Sequence, residues 1–185
     1  MPSTELPSGV TVRDFYYSDA DWTAWTGVKN RSDPTAWGRF QKQAASGRYL
    51  FTYRRAQSHY HFGETLVGAT LEGEGYECWT TARIIRKREV QKYAKQTEVV
   101  ERLLKQTLRR VPQVEYDKRR KSEGLHVKTI DLVGYHAGRQ HWVFCEVKRA
   151  SDKLMREQFD TLEFLRGLYP VARAEVLVAR VLPER

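Results

Sequence analysis

Two apolar runs joined by a short turn set the strongest limit on what this chain can form. "HVKTIDLVGY" (126–135) and "HWVFCEVKR" (141–149) are rich in β-branched and aromatic residues, and "AGRQ" (137–140) between them has turn composition. The pair is expected as a β-hairpin. The second run stays apolar until Glu146-Val147-Lys148, where a carboxylate and an ammonium two residues apart project from the same side of a strand. Asp131 interrupts the first run between Ile130, Leu132 and Val133. A charge there costs desolvation free energy unless something compensates it. The turn places Asp131 roughly opposite Glu146, so two carboxylates meet that would repel each other. A hard divalent cation such as Mg2+ removes that penalty, because oxygen ligands are what it prefers. Lys148, on the same side as Glu146, is then placed to orient a water or to stabilise charge developing on a phosphate.

The flanking segments extend the hairpin into a larger unit. Between Val90 and Val111, Tyr93, Val100, Leu104 and Leu108 recur at helical spacing, and Pro112 ends the run. "QVEYDKRRK" (113–121) is expected as a strand with a strongly basic end. "SDKLMREQFDTLEFLRGL" (151–168) carries Leu154, Phe159, Leu162 and Leu165 at helical spacing, with Ser151 or Asp152 as cap and Gly167 near its end. "RAEVLVARVL" (173–182) closes as a strand. The expected order is α-β-β-β-α-β around a mixed sheet. In the first helix Glu101 falls on the apolar stripe beside Thr97, Leu104 and Leu108, whereas Glu98 lies on the flank. Glu101 is therefore the first choice for a third acid, and Glu98 the second.

A compositional seam at Thr81–Lys87 divides the chain into residues 1–85 and 86–185. The first part holds Trp22, Trp25, Trp37 and Trp79 among glycines and turn residues. There "GRYLFTYRRA" (47–56) and "GETLVGATLEGEGYECWTTARII" (63–85) are expected as short strands, and "SDADWTAW" (18–25) and "DPTAWGRFQKQAA" (33–45) as short helices. This reads as a small α+β accessory module with its tryptophans in the core, joined through "RIIRKR" (83–88) as a linker. His59 and His61 share strand spacing and are expected as a half-buried pair rather than metal ligands. His126, His136 and His141 are expected to be hydrogen-bonded or exposed. Two cysteines, Cys78 and Cys145, give no disulfide framework, and Cys145 is expected as a small core residue.

The chain carries 32 Lys+Arg against 23 Asp+Glu, a formal charge of +9 over 185 residues. That excess favours a polyanionic partner, foremost nucleic acid. No apolar run approaches the ~18–20 residues of a membrane span, and the start lacks a signal pattern. A soluble, cytoplasmic protein without membrane contact is expected, in the nucleoid or nucleus if the source is eukaryotic.

Taken together, Glu101, Asp131 and Glu146-x-Lys148 on an α-β-β-β-α-β order resemble the PD-(D/E)XK nuclease superfamily. The continuation "EVKRASDKLMREQ" (146–158) is similar to its VRR-NUC branch. The resemblance covers about residues 90–182. It implies a restriction-endonuclease-like αβββαβ core with a central mixed sheet, preceded here by the small α+β module. It also implies a metal-dependent endonuclease that hydrolyses phosphodiester bonds in DNA. By position, Asp131 and Glu146 would bind Mg2+ or Mn2+, Glu101 would complete the metal site, Lys148 would assist the nucleophilic water, and Gln158 would contribute from the following helix. Ile130 stands where the family carries proline. Lys118, Arg119, Arg120, Lys121, Arg149 and Lys153 would grip the nucleic acid, although the 117–121 run reads equally as a solvated strand end. Related nucleases often pair, so a homodimer is also implied. The competing readings are a nucleic-acid-binding module without catalysis and a subunit of a larger nuclease or repair assembly.

Overall fold

The run His141–Arg149 forms the middle strand of the sheet, and its alternation explains the layers on either side. Trp142 and Phe144 belong to one buried cluster, Val143 and Cys145 to another, and all four are at most 1% exposed. A strand apolar on both faces needs a layer of packing on each. The structure is a computed structural model that describes residues 5–28, 33–49, 61–80, 82–86 and 93–184.

In chain order these residues form β1 (Val10–Tyr17), α1 (Asp19–Gly27), a 3-10 segment (Pro34–Phe40), α2 (Gln41–Ser46), α3 (Phe62–Gly73) and β2 (Glu77–Trp79). Then follow α4 (Ala94–Thr107), α5 (Pro112–Glu123), β3 (Leu132–His136), β4 (His141–Arg149), α6 (Arg156–Leu168) and β5 (Ala174–Pro183). The strands lie in the order β1-β5-β4-β3-β2. β1, β5 and β4 run parallel, while β3 pairs antiparallel with both β4 and β2. The protein is thus mixed α/β around a five-stranded mixed sheet.

On one face α3 buries Leu66, Val67 and Leu71 against Leu132, Cys145 and Leu177. Trp25, Trp37, Phe40 and Phe62 extend that core, with Trp25 and Trp37 rings 4.8 Å apart between centroids. On the other face α4, α5 and α6 pack Val100, Leu104, Tyr116, Leu162 and Leu165 against Trp142, Phe144 and Val176. The hairpin forms as its composition requires, with a turn over residues 137–140 and Leu132 opposite Cys145.

Several expectations change. "QVEYDKRRK" is helix α5, not a strand. Pro112 opens it, Gly124 closes it at φ 60°, and Arg119 pairs with Glu123 one turn on. The apparent alternation rested on Val114 and Tyr116 alone, and only Tyr116 is buried, against Phe164 of α6. "GETLVGATLEG" is helix α3, which buries Phe62, Leu66, Val67 and Leu71 at helical spacing against the sheet. Asp152 does not cap α6; it accepts the backbone N–H of Arg149, and α6 begins at Arg156.

The seam at 81–87 does not separate two folding units, since β1 and β2 from the first half complete a sheet built from the second. Ile84 and Ile85, placed in a linker by the sequence, are core residues at most 1% exposed. The expected strand 47–56 falls mostly outside the described residues, as does His59. His61 is no strand residue but the N-cap of α3, in the left-handed region. The tryptophans Trp25, Trp37 and Trp79 are core residues, as are both cysteines. His136 and His141 make hydrogen bonds, to the Arg139 N–H and the Tyr76 hydroxyl, and His126 is exposed.

Because Phe144 is stacked between Trp142 and Tyr169 and fully buried, Phe144→Ala should lower the unfolding free energy by about 3–5 kcal/mol. Urea denaturation reads this directly. A loss below about 1 kcal/mol would mean that the α6-side core is not packed as described.

Candidate active site

The β3–β4 pairing positions the acids. Asp131 immediately precedes β3, and with Leu132 opposite Cys145 it faces Glu146, just past the end of the β3–β4 ladder. Its Oδ2 accepts the Val147 backbone N–H at 2.9 Å. Glu146, 1% exposed, shares the sheet face of Trp142 and Phe144. Lys148 follows on that face, with Nζ 3.1 Å from Glu146 Oε1 and 2.8 Å from Gln158 Oε1.

Gln158 ties the network to α6. Its Nε2 donates to Glu146 Oε1, and its Oε1 also accepts the Met155 N–H at 2.9 Å, an otherwise orphaned donor at the helix start. The two ends of the amide thus face different partners, which fixes its orientation. The structure brings Asp131, Glu146, Lys148 and Gln158 together at one place, with Glu146 and Gln158 buried and Asp131 and Lys148 half-buried.

Both carboxyls are held above the ordinary carboxylate range. For Glu146 the largest cause is burial and the second is the charge of Asp131; opposing them, the Lys148 ammonium is not enough, and the group is pushed up to about 8. Asp131 is pushed up to about 6, first by burial and then by the charge of Glu64, against the Val147 N–H and Lys148. The two carboxyls stand close enough for the charge of Asp131 to be the second cause that raises Glu146. Two acids so close and so poorly solvated resist being charged together.

Glu64 was not among the residues singled out from the sequence. It sits in the first turn of α3, with Oε1 3.3 Å from His61 Nδ1. Gly63 lets that turn approach β4: a Cβ at this position would lie 3.0 Å from Val147 Cγ1. Of the two acids weighed on the other helix, Glu98 is exposed and Glu101 half-buried on α4. The acid that acts most strongly on Asp131 by charge is Glu64, not Glu101. The signal for Glu64 was present in the helical spacing of Phe62, Leu66, Val67 and Leu71, which makes 62–73 a helix with an acid in its first turn.

The basic residues divide into two groups. Lys118, Arg120 and Lys121 are exposed on α5, where Arg119 pairs with Glu123 and Lys118 with Glu115. Arg149 and Lys153 are exposed beside Lys148, Arg149 being held to Asp152 at 3.2 Å. Lys128, which the sequence reading passed over, reaches Met155 Sδ at 3.6 Å, next to the start of α6.

The donor chemistry fits a hard divalent cation: the acids are oxygen donors side by side, one buried and one half-buried, and their mutual repulsion is what such a charge relieves. The side chains are not a ready-made cage. Among the described residues no three His, Cys, Asp or Glu side chains converge as a metal-holding group, and Lys148 and Gln158 lie on the Glu146 oxygen. Among the described residues no helix is long and apolar enough to cross a membrane. No protein-family model matches the chain, nor does any curated protein or any solved structure.

In the folded protein both acids keep protons at pH values where the unfolded chain has lost them. Their contribution to stability is full below the ordinary carboxylate pKa of about 4 and is lost as pH rises through about 6 and about 8. With a chelator present, the thermal midpoint should fall across that window, and Glu146→Gln should flatten the fall. Millimolar Mg2+ should raise the wild-type midpoint near pH ~8 and do little near pH ~5, where protons hold the site. Identical pH profiles for wild type and Glu146→Gln would contradict this assignment.

Proposed function

We propose that this protein is a divalent-metal-dependent nuclease that hydrolyses phosphodiester bonds in nucleic acid, with DNA as the substrate. The observation that carries the reading is the meeting of half-buried Asp131 and buried Glu146 across the β3–β4 pairing, with Lys148 Nζ 3.1 Å from the second. The element order supports a restriction-endonuclease-like core in which α3, β2, β3, β4, α6 and β5 supply the αβββαβ frame, with α4 and α5 inserted after the first strand. On this assignment Glu64, rather than Glu101, is the acid of the leading helix.

Asp131 and Glu146 would hold Mg2+ or Mn2+. When bound, such an ion supplies Lewis-acid polarisation of a phosphate and favours deprotonation of water. The chain's own groups do the rest. Gln158 holds Lys148 in place through its carbonyl oxygen. Two of the three Lys148 N–H donors are committed to Gln158 and Glu146, which leaves one to direct a water or to meet charge on a phosphate oxygen. Arg149 and Lys153, on the same side of the molecule, are suited to the neighbouring phosphates. The +9 charge supplies the long-range attraction.

A second reading is a nucleic-acid-binding module without catalysis. It is favoured by the occupation of the Glu146 oxygen by Lys148 and Gln158. A panel of duplex, flap, junction and single-stranded DNA and RNA, incubated with Mg2+ or Mn2+, separates the two. Wild type should cleave at least one DNA substrate. Asp131→Ala and Lys148→Ala should each lose about 100-fold or more in rate while binding within a few-fold of wild type. Cleavage that survives in either purified variant, or wild type that binds all substrates and cuts none, would overturn the nuclease reading.

A further inference from the structure

A cavity of about 910 Å³ opens beside Lys148, a size within the roughly 300–1,000 Å³ range of small-molecule sites. Helix α6 has two working faces. Leu162, Leu165 and Leu168 enter the core, while Arg156, Phe159, Asp160 and Glu163, spaced i, i+3, i+4 and i+7, line the cavity. Phe159 has the sequence spacing of a core residue, yet it is half-buried and belongs to neither hydrophobic cluster.

Val12 and Met155 line the same cavity and are 46% and 49% exposed, among the few large apolar side chains left open to solvent in the described residues. Exposed apolar surface gathered in one concavity marks a binding place. The cavity is lined by three kinds of group: the cations Lys148, Arg149 and Lys153, the apolar Phe159, Val12 and Met155, and the acids Asp160 and Glu163, of which Asp160 is paired with Arg156.

A ligand that matches has an anion, a flat apolar body, and an N–H donor for Glu163. An acyl chain would leave Lys148 and Glu163 facing hydrocarbon. A nucleotide answers all three, its phosphate meeting the cations and its base edge supplying amino or imino donors to a carboxylate. We propose that the cavity takes a single nucleobase turned out of its stack, lying against Phe159, with the adjoining phosphodiester at Lys148. This inference rests on the nuclease reading and adds a specificity-determining contact to it.

The test uses the full chain and short single-stranded and duplex DNA in which one nucleotide is replaced by an abasic tetrahydrofuran residue, moved along the strand. Cuts are mapped with Mg2+, so the remaining bonds of each strand serve as internal controls. Wild type should cut the phosphodiester next to the abasic residue about 10-fold or more slowly than the same bond in intact DNA. Phe159→Ala should be slowed by a similar factor on intact DNA and lose the response to the abasic residue, while Phe159→Tyr keeps both. A flat abasic profile from an active wild type, or Phe159→Ala indistinguishable from wild type, overturns the inference and leaves the nuclease reading standing. No cleavage by wild type of any strand overturns both. Should Phe159→Ala fail to fold, the wild-type profile and Phe159→Tyr decide alone.

Discussion

The desolvation of two facing carboxyls at the end of an apolar hairpin is the constraint around which the rest of this molecule is arranged. Asp131 and Glu146 lie where the β3–β4 pairing puts them, and neither can be charged there without help. The Val147 N–H, the Lys148 ammonium and the Gln158 amide each answer part of that cost. What they leave holds both carboxyls above the ordinary carboxylate range, so that protonation is favoured. A site that keeps a proton because two charges are too many is chemically prepared to exchange it for a metal cation.

The supporting fold is consistent with that requirement. Gly63 brings the first turn of α3 against Val147 and so places Glu64 within electrostatic reach of Asp131 from the opposite face of the sheet. Gln158 serves at once as a hydrogen-bond partner of two site residues and of the first free N–H of α6, so the helix start and the site are one structure. Removing one member of such a network leaves the others buried and unpaired, which is why its parts are not independent.

Much of the second half was legible because its signals are local. The hairpin followed from two β-rich runs and a turn, α4 and α6 from helical periodicity, and the Asp131–Glu146 meeting from strand pairing. The misreadings have a common cause. Segments 63–73 and 113–121 are short, and in each a few apolar residues fit both periods; what decided between them was tertiary, α3 covering a sheet face and Tyr116 reaching Phe164. The same cause hid Glu64, whose role depends on α3 being a helix. The division at residue 85 followed composition, whereas the sheet is assembled by pairing between distant segments: Val10 with Val176, and Trp79 with Val133. Phe159 was legible as an apolar helix position, but not as one turned away from the core, since periodicity gives a face and not its neighbour.

On the nuclease reading, protons on this carboxyl pair and a divalent cation compete for one site. Calorimetric titration of the metal-free protein with Mg2+ or Mn2+ near neutral pH, repeated in buffers of different ionisation enthalpy, counts the protons released per metal bound. Wild type should bind the metal and release protons, roughly half of one or more per site, and Glu146→Gln should bind weakly and release far fewer. Metal binding without proton release, or the same release from Glu146→Gln, would contradict it.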